Sequence, residues 1–159
     1  MAPHPDEADL AALWATADHH EPEEFVALMD KAVEGLEPAI AAYERASARD
    51  STGDPEQAVP LYREALAAGL GPDRRRQAVI QLASSLRSLG QAEESVRLLQ
   101  EEKDRDEDDL ADGVDAFLAL ALTSAGRERE AVSVALTALA RHMTRYQRSL
   151  RAYAEDLRQ

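Results

Sequence analysis

The sequence predicts an all-α chain in which helix–turn–helix units stack into a solenoid. Three observations lead there. A short stretch recurs, as STGDPEQAV at 51–59, SLGQAEESV at 88–96 and SAGREREAV at 124–132, with its glycines (Gly53, Gly90, Gly126) spaced 37 and 36 residues apart. Around each glycine, small residues fall at fixed offsets: Ala46, Ala83 and Ala119 before it, Ala58, Ser95 and Ala131 after it. A valine follows each time (Val59, Val96, Val132) and a serine precedes (Ser51, Ser88, Ser124). A fixed period with small residues at fixed places is the signature of a stacked repeat. Finally, the chain is 45% apolar but only 4% aromatic, so its core must be built from Ala, Leu and Val, which suits closely approaching helices.

Each element follows from local signals. A short helix is expected at about 7–17, and another at about 23–35 beginning near Pro22. The first repeat reads as helices 37–51 and 54–68, the second as 73–89 and 91–103. The third reads as 108–125 and one long helix from 127 onward. Gly53, Gly90 and Gly126 can take the left-handed conformation that ends a helix. Pro55, Glu56, Glu93, Glu94, Glu128 and Glu130 fall in first turns, where proline loses no hydrogen bond and acids meet the positive end of the helix dipole. Pro60 lies beyond a first turn and is expected to bend its helix or make its start irregular. The domain reading is an N-terminal extension over 1–21, partly helical or flexible, and a single domain over 22–159. Its repeats run at about 37–70, 73–106 and 108–141.

The end of the stack raises a question of cover. Helix 108–125 is apolar nearly all round (Val114, Phe117, Leu118, Leu120, Leu122) and should be buried on most sides. From Arg127 to Gln159 there is no Gly or Pro. Val132, Leu136, Leu139, Met143, Tyr146, Leu150, Tyr153 and Leu157 alternate at four and three residues, a seam along one helix reaching about 157. Either the chain's own end or its N-terminal helix caps the stack, or a second subunit supplies the missing layer as a homodimer. A break near Arg141–His142 would give a separate capping helix.

Composition limits the chemistry. The net charge of −13 opposes phosphate binding and an anionic membrane surface. No cysteine is present, so disulfides and thiol ligands are absent. No signal-peptide pattern or membrane-length apolar run is visible, and a cytoplasmic protein is expected. His19, His20, Glu21 and Glu23 in HHEPEE lack ligand spacing and read as a solvated connector rather than a metal site. His4 and His142 add no ligand pair. No nucleophile motif or phosphate loop appears, so neither an enzyme nor a cofactor is expected. The run EEKDRDEDD at 101–109 reads as a connector that caps the next helix, or as a dock for a basic partner. Arg74, Arg75 and Arg76 oppose a helix dipole, and either pair with nearby carboxylates or form a basic rim. Ser51, Ser88 and Ser124 are expected to bond carbonyls one turn back.

Ala46, Gly53, Ala58, Tyr62 and Ala65, then Ala83, Leu86, Gly90 and Leu99, then Ala119, Leu122, Gly126, Ala131 and Ala138 resemble the signature of the tetratricopeptide repeat, over about 37–157. The runs containing them look like the small bacterial subfamily of these proteins. The units are two or three residues longer than the usual repeat of about 34, and Glu102 stands where an alanine is usual. The resemblance implies a right-handed superhelix of paired helices, and protein or peptide binding without catalysis. It also implies a concave groove lined by one face of each first helix. By repeat position that face holds Ile40, Tyr43, Ser47 and Asp50, then Gln77, Ile80, Ser84 and Arg87, then Ala116, Leu120 and Thr123. Such a groove would suit an amphipathic helix, either a partner's or the chain's own segment with Leu10, Leu13 and Trp14. The expected function is therefore an interaction module that self-associates. The alternative is a regulatory domain that binds a peptide or small ligand in the groove.

Overall fold

The computed structural model describes residues 5–105 and 109–159, and every regular element among them is helical. In chain order these are α1 (Pro5–Trp14), a 3-10 turn (Ala17–His19), α2 (Pro22–Ala32), α3 (Pro38–Ser51) and α4 (Pro55–Ala68). There follow α5 (Pro72–Ser88), α6 (Ala92–Lys103), α7 (Ala111–Ser124), α8 (Glu128–Ala140) and α9 (Gln147–Asp156). The chain divides into two compact units, residues 1–78 and 79–159, with the boundary inside α5.

The helix ends are set by the chemistry that marked them. Gly53, Gly90 and Gly126 have φ of 87°, 80° and 74°. In each case the next residue's N–H donates five residues back: Asp54 to Arg49, Gln91 to Leu86 and Arg127 to Leu122, at 2.8–2.9 Å. One closure thus ends all three first helices, as a left-handed glycine permits. The serine before the glycine bonds back into its own helix at Ser51 (to Ala48 O, 3.0 Å) and Ser88 (to Ser84 O, 3.1 Å). Prolines open α2, α3 and α4. The side chain of Asp54 caps α4 by accepting from Gln57 N at 3.1 Å. α4 runs through Pro60 as one helix from Pro55, so of the bend or irregular start expected the irregular start is not found. Pro60 and Glu56, whose carbonyl loses its donor, are both exposed, so water can replace the missing bond.

In the first unit, Leu10 from α1 joins Phe25 and Met29 from α2, Val33 just past its end, and Ala41 and Ala48 from α3 in one cluster. Ala46, Ala58, Tyr62 and Ala65 are fully enclosed where α3 meets α4. In the second unit, Ile80, Ala83, Val96 and Leu99 pack with Val114, Leu118, Ala121 and Leu122 of α7 and with Ala131 and Val134 of α8. Ser95 Oγ donates to Ala83 O at 2.6 Å, so the small residues at the helix crossing also carry a hydrogen bond.

Two expectations need correction. The long C-terminal helix from 127 is two helices, as the alternative of a break near Arg141–His142 had it: α8 stops at Ala140, Tyr146 takes φ 66°, and α9 begins at Gln147. α9 folds back along α8, because Arg158 Nε near its end donates to Ser133 Oγ near the start of α8 at 2.9 Å. Ser133, Ala140 and Ala154 are fully enclosed there, small residues that let the two helices touch. α7 is buried on most sides, with Val114, Leu118, Ala121 and Leu122 enclosed, and its open side carries Leu120, 49% exposed. It also starts at Ala111 rather than 108, a position outside the described residues, as are the middle of the acidic run and His4.

Candidate interaction surfaces

The first unit carries part of the face expected to line a groove. Tyr43 and Ser47 are buried and Ile40 is half-buried. Tyr43 OH donates to Gln77 Oε1 at 2.9 Å, and its ring lies 6.3 Å from that of Tyr62. Tyr62 OH donates towards Asp50 Oδ2 at 3.3 Å and Ser47 Oγ at 3.5 Å. Burial pushes the Tyr62 phenol far above its ordinary range, so it stays a proton donor. Ile40 borders a shallow hollow of about 260 Å³ with Glu37, Leu70 and Arg74.

A polar cluster that the sequence did not single out sits beside that face. Trp14, at the end of α1, packs its ring edge-on to Phe25 (5.1 Å between centroids) and donates its indole N–H to Glu44 Oε2 at 2.8 Å. At the other end of α1, Glu7 pairs with Arg74 at 3.1 Å. Desolvation raises the Glu44 carboxyl above its ordinary range, while the Trp14 N–H and the charge of Arg74 pull it back. Leu10, Leu13 and Trp14 thus dock α1 within its own unit. A buried acid on a helix and a lone Trp thirty residues earlier were the available signals, but nothing in their spacing links them.

Gln77 is exposed; in the second unit Ser84 and Arg87 are half-buried, and Arg87 Nε is enclosed without a hydrogen-bond partner among the described residues. Ile80 is packed into the core cluster, and Leu120 faces outward.

The C-terminal seam splits by exposure. Leu139, Tyr146 and Tyr153 are 54%, 74% and 67% exposed, whereas Met143, Leu150 and Leu157 are half-buried. Val132 adds a telling comparison. The matching valines of the earlier repeats, Val59 and Val96, are 7% and 2% exposed, but Val132 is 47% exposed. α7 closes over Val96 through Val114 and Leu118. α9 takes a different side of α8, that of Ser133 and Ala140, and leaves Val132 and Leu139 open.

The corner between α8 and α9 is held by charge. Arg141 Nη2 donates to Asp112 Oδ1 at 2.5 Å and to Asp115 Oδ2 at 2.7 Å. His142 Nε2 lies 2.7 Å from Asp112 Oδ2, and Lys103 Nζ bonds the other oxygen of Asp115. The Arg141 and His142 hydrogen bonds hold the Asp112 carboxyl below its usual range. Asp115 is buried, and two cations compensate it.

Among the described residues no three His, Asp or Glu side chains gather as a metal site, and no helix is long and apolar enough to cross a membrane. His20 instead contacts Thr16 Oγ1 at 3.3 Å and Glu24 at 3.6 Å, within the α1–α2 connection. Of the arginine triplet, Arg74 has found a carboxylate in Glu7 and Arg76 is buried.

A family model for the tetratrico peptide repeat matches residues 39–157, from the start of α3 to the end of α9. No curated protein and no solved structure matches the chain. Paired helices closed by left-handed glycines, small residues at each crossing and a match across most of the sequence together place the chain in the tetratricopeptide repeat family.

Proposed function

We propose that this chain is a non-catalytic cytoplasmic interaction module that self-associates through the open side of α8 and α9. Tetratricopeptide repeats in general mediate protein–protein contacts, and that coarser role follows from the family. The observation that carries the finer reading is Val132. Its repeat position is covered in both earlier units and bare in the last, beside exposed Leu139. Repeat stacks bury each unit's face against the next, so an uncovered last face needs a polar cap or a partner. α9 is a cap for only one side of α8. Apolar side chains of this size contribute about 1.5–3 kcal/mol each when fully buried, which gives a second copy a reason to cover them.

Light scattering across a concentration series tests this reading. The wild type is expected to exceed the monomer mass, and Val132→Glu/Leu139→Glu to return it to monomer while keeping its helical circular dichroism. A wild type that stays monomeric at the highest concentration contradicts it.

A second reading is favoured by Arg87. Its enclosed Nε has no acceptor among the described residues. A peptide or small ligand bearing a carboxylate would supply one. Isothermal titration with carboxylate-terminated peptides, compared between wild type and Arg87→Met, checks it.

A further inference from the structure

Charge is distributed very unevenly along this chain. The first 37 residues hold ten acids and one base, Lys31, for a net −9 out of the total −13. The last 19 residues hold five arginines and two acids, a net +3. Both ends are displayed. Glu21, Glu23, Glu34 and Glu37 on α2 and its flanks are exposed and carry no ion pair among the described residues. Arg145, Arg148 and Arg151 are likewise exposed, and no carboxylate among the described residues pairs with them. Most other arginines have found an acceptor: Arg49 at Asp30, Arg74 at Glu7, Arg97 at Glu101, Arg127 at Glu130 and Arg141 at Asp112. The free arginines also flank the two most exposed tyrosines, Tyr146 and Tyr153. Aromatic rings interleaved with arginine are the side chains enriched at protein interfaces.

We infer that the partner of the α9 face is the acidic α2 region of a second copy, so that the chain associates head to tail. This deepens, and rests on, the self-association proposed above. A two-fold contact of α9 on α9 would set Arg148 and Arg151 against their own copies, and like charges at close quarters oppose it. The α2 region offers the opposite sign, with Glu23 in the first turn of α2 and Glu34 just past its end, both exposed. Whole-chain repulsion does not forbid the contact. At ~0.1 M salt the screening length is about 10 Å, so the facing groups decide. A head-to-tail contact is heterologous, and it propagates into chains of copies or closes into a ring.

A charge-swap experiment in sedimentation velocity tests the inference. One variant is Arg148→Glu/Arg151→Glu, the other Glu23→Arg/Glu34→Arg; all four positions are exposed, and circular dichroism verifies each fold. The wild type should associate at ~0.1 M salt and lose about tenfold or more in affinity at ~1 M, where screening falls to about 3 Å. Each variant alone should be monomeric, and their equimolar mixture should associate again. An association that ignores salt and survives Glu23→Arg/Glu34→Arg overturns the head-to-tail contact and leaves the apolar self-association standing. Monomers under every condition overturn both. Binding of a single-stranded oligonucleotide by the wild type, lost in Arg148→Glu/Arg151→Glu, with no self-association, would reassign the basic face to nucleic acid.

Discussion

Ala83 has no room to grow. Its side chain is fully enclosed, and its carbonyl accepts from Ser95 across the α5–α6 crossing. Ala83→Leu should overpack that contact and cost ~1–3 kcal/mol, read as a lower Tm; an unchanged melt would remove the small-residue account of the repeat. Glu44 makes a second residue-scale case. With Trp14→Phe the buried carboxylate loses its donor, at a cost of ~1–3 kcal/mol by denaturant titration. Its pH dependence has a definite sign. The folded chain holds the Glu44 carboxyl above its ordinary range. Between the unfolded and the folded pKa the unfolded chain has lost a proton that the folded chain keeps, so stability falls as pH rises through that window. Glu44→Gln removes this slope, and its stability relative to wild type should be higher at pH ~7 than at pH ~4. Trp14 stood out beforehand, but its pairing with Glu44 was not legible, because a contact across thirty residues leaves no local pattern.

At the scale of elements, the helices from α2 to α7 and the start of α8 were readable to within a few residues. Proline, glycine and acidic first turns act locally, and a sequence displays them. The break before α9 was not readable in the same way. No glycine or proline marks it, the four–three apolar spacing continues straight through, and Tyr146 takes a left-handed conformation unusual for a bulky residue. What holds the corner is tertiary: Arg141 and His142 reach Asp112 and Asp115 on α7, and Ser133, Ala140 and Ala154 let α9 lie close to α8. Arg141→Ala should therefore loosen α9. Amide exchange is expected to rise over residues 147–156 while α3 and α4 stay unchanged; equal exchange in both would assign the corner to local propensity instead. Tyr146→Gly tests the backbone separately. It relieves a left-handed residue that costs roughly 1–2 kcal/mol and removes little buried area, so Tm should not fall. The same variant should weaken self-association, because the exposed ring is gone.

For the molecule as a whole, one valine position summarises the argument. A repeat protein makes the same face several times and must do something different with the last one. Here Val59 and Val96 are covered and Val132 is not, while the neighbouring helix pair displays Leu139, Tyr146 and Tyr153. The fold was legible because its repeat is written three times. The surface was only partly so: the seam residues stand out as apolar, but which of them turn outward depends on α9 folding back. The expected groove face divides similarly, with Tyr43 and Ser47 spent on internal contacts and Leu120 left open. The most direct measurement is hydrogen exchange of the full chain at dilute and at high concentration, compared peptide by peptide. Self-association through the open side predicts added protection over residues 132–157 at high concentration, with none over α3 and α4. Identical exchange over 132–157 at both concentrations would contradict it.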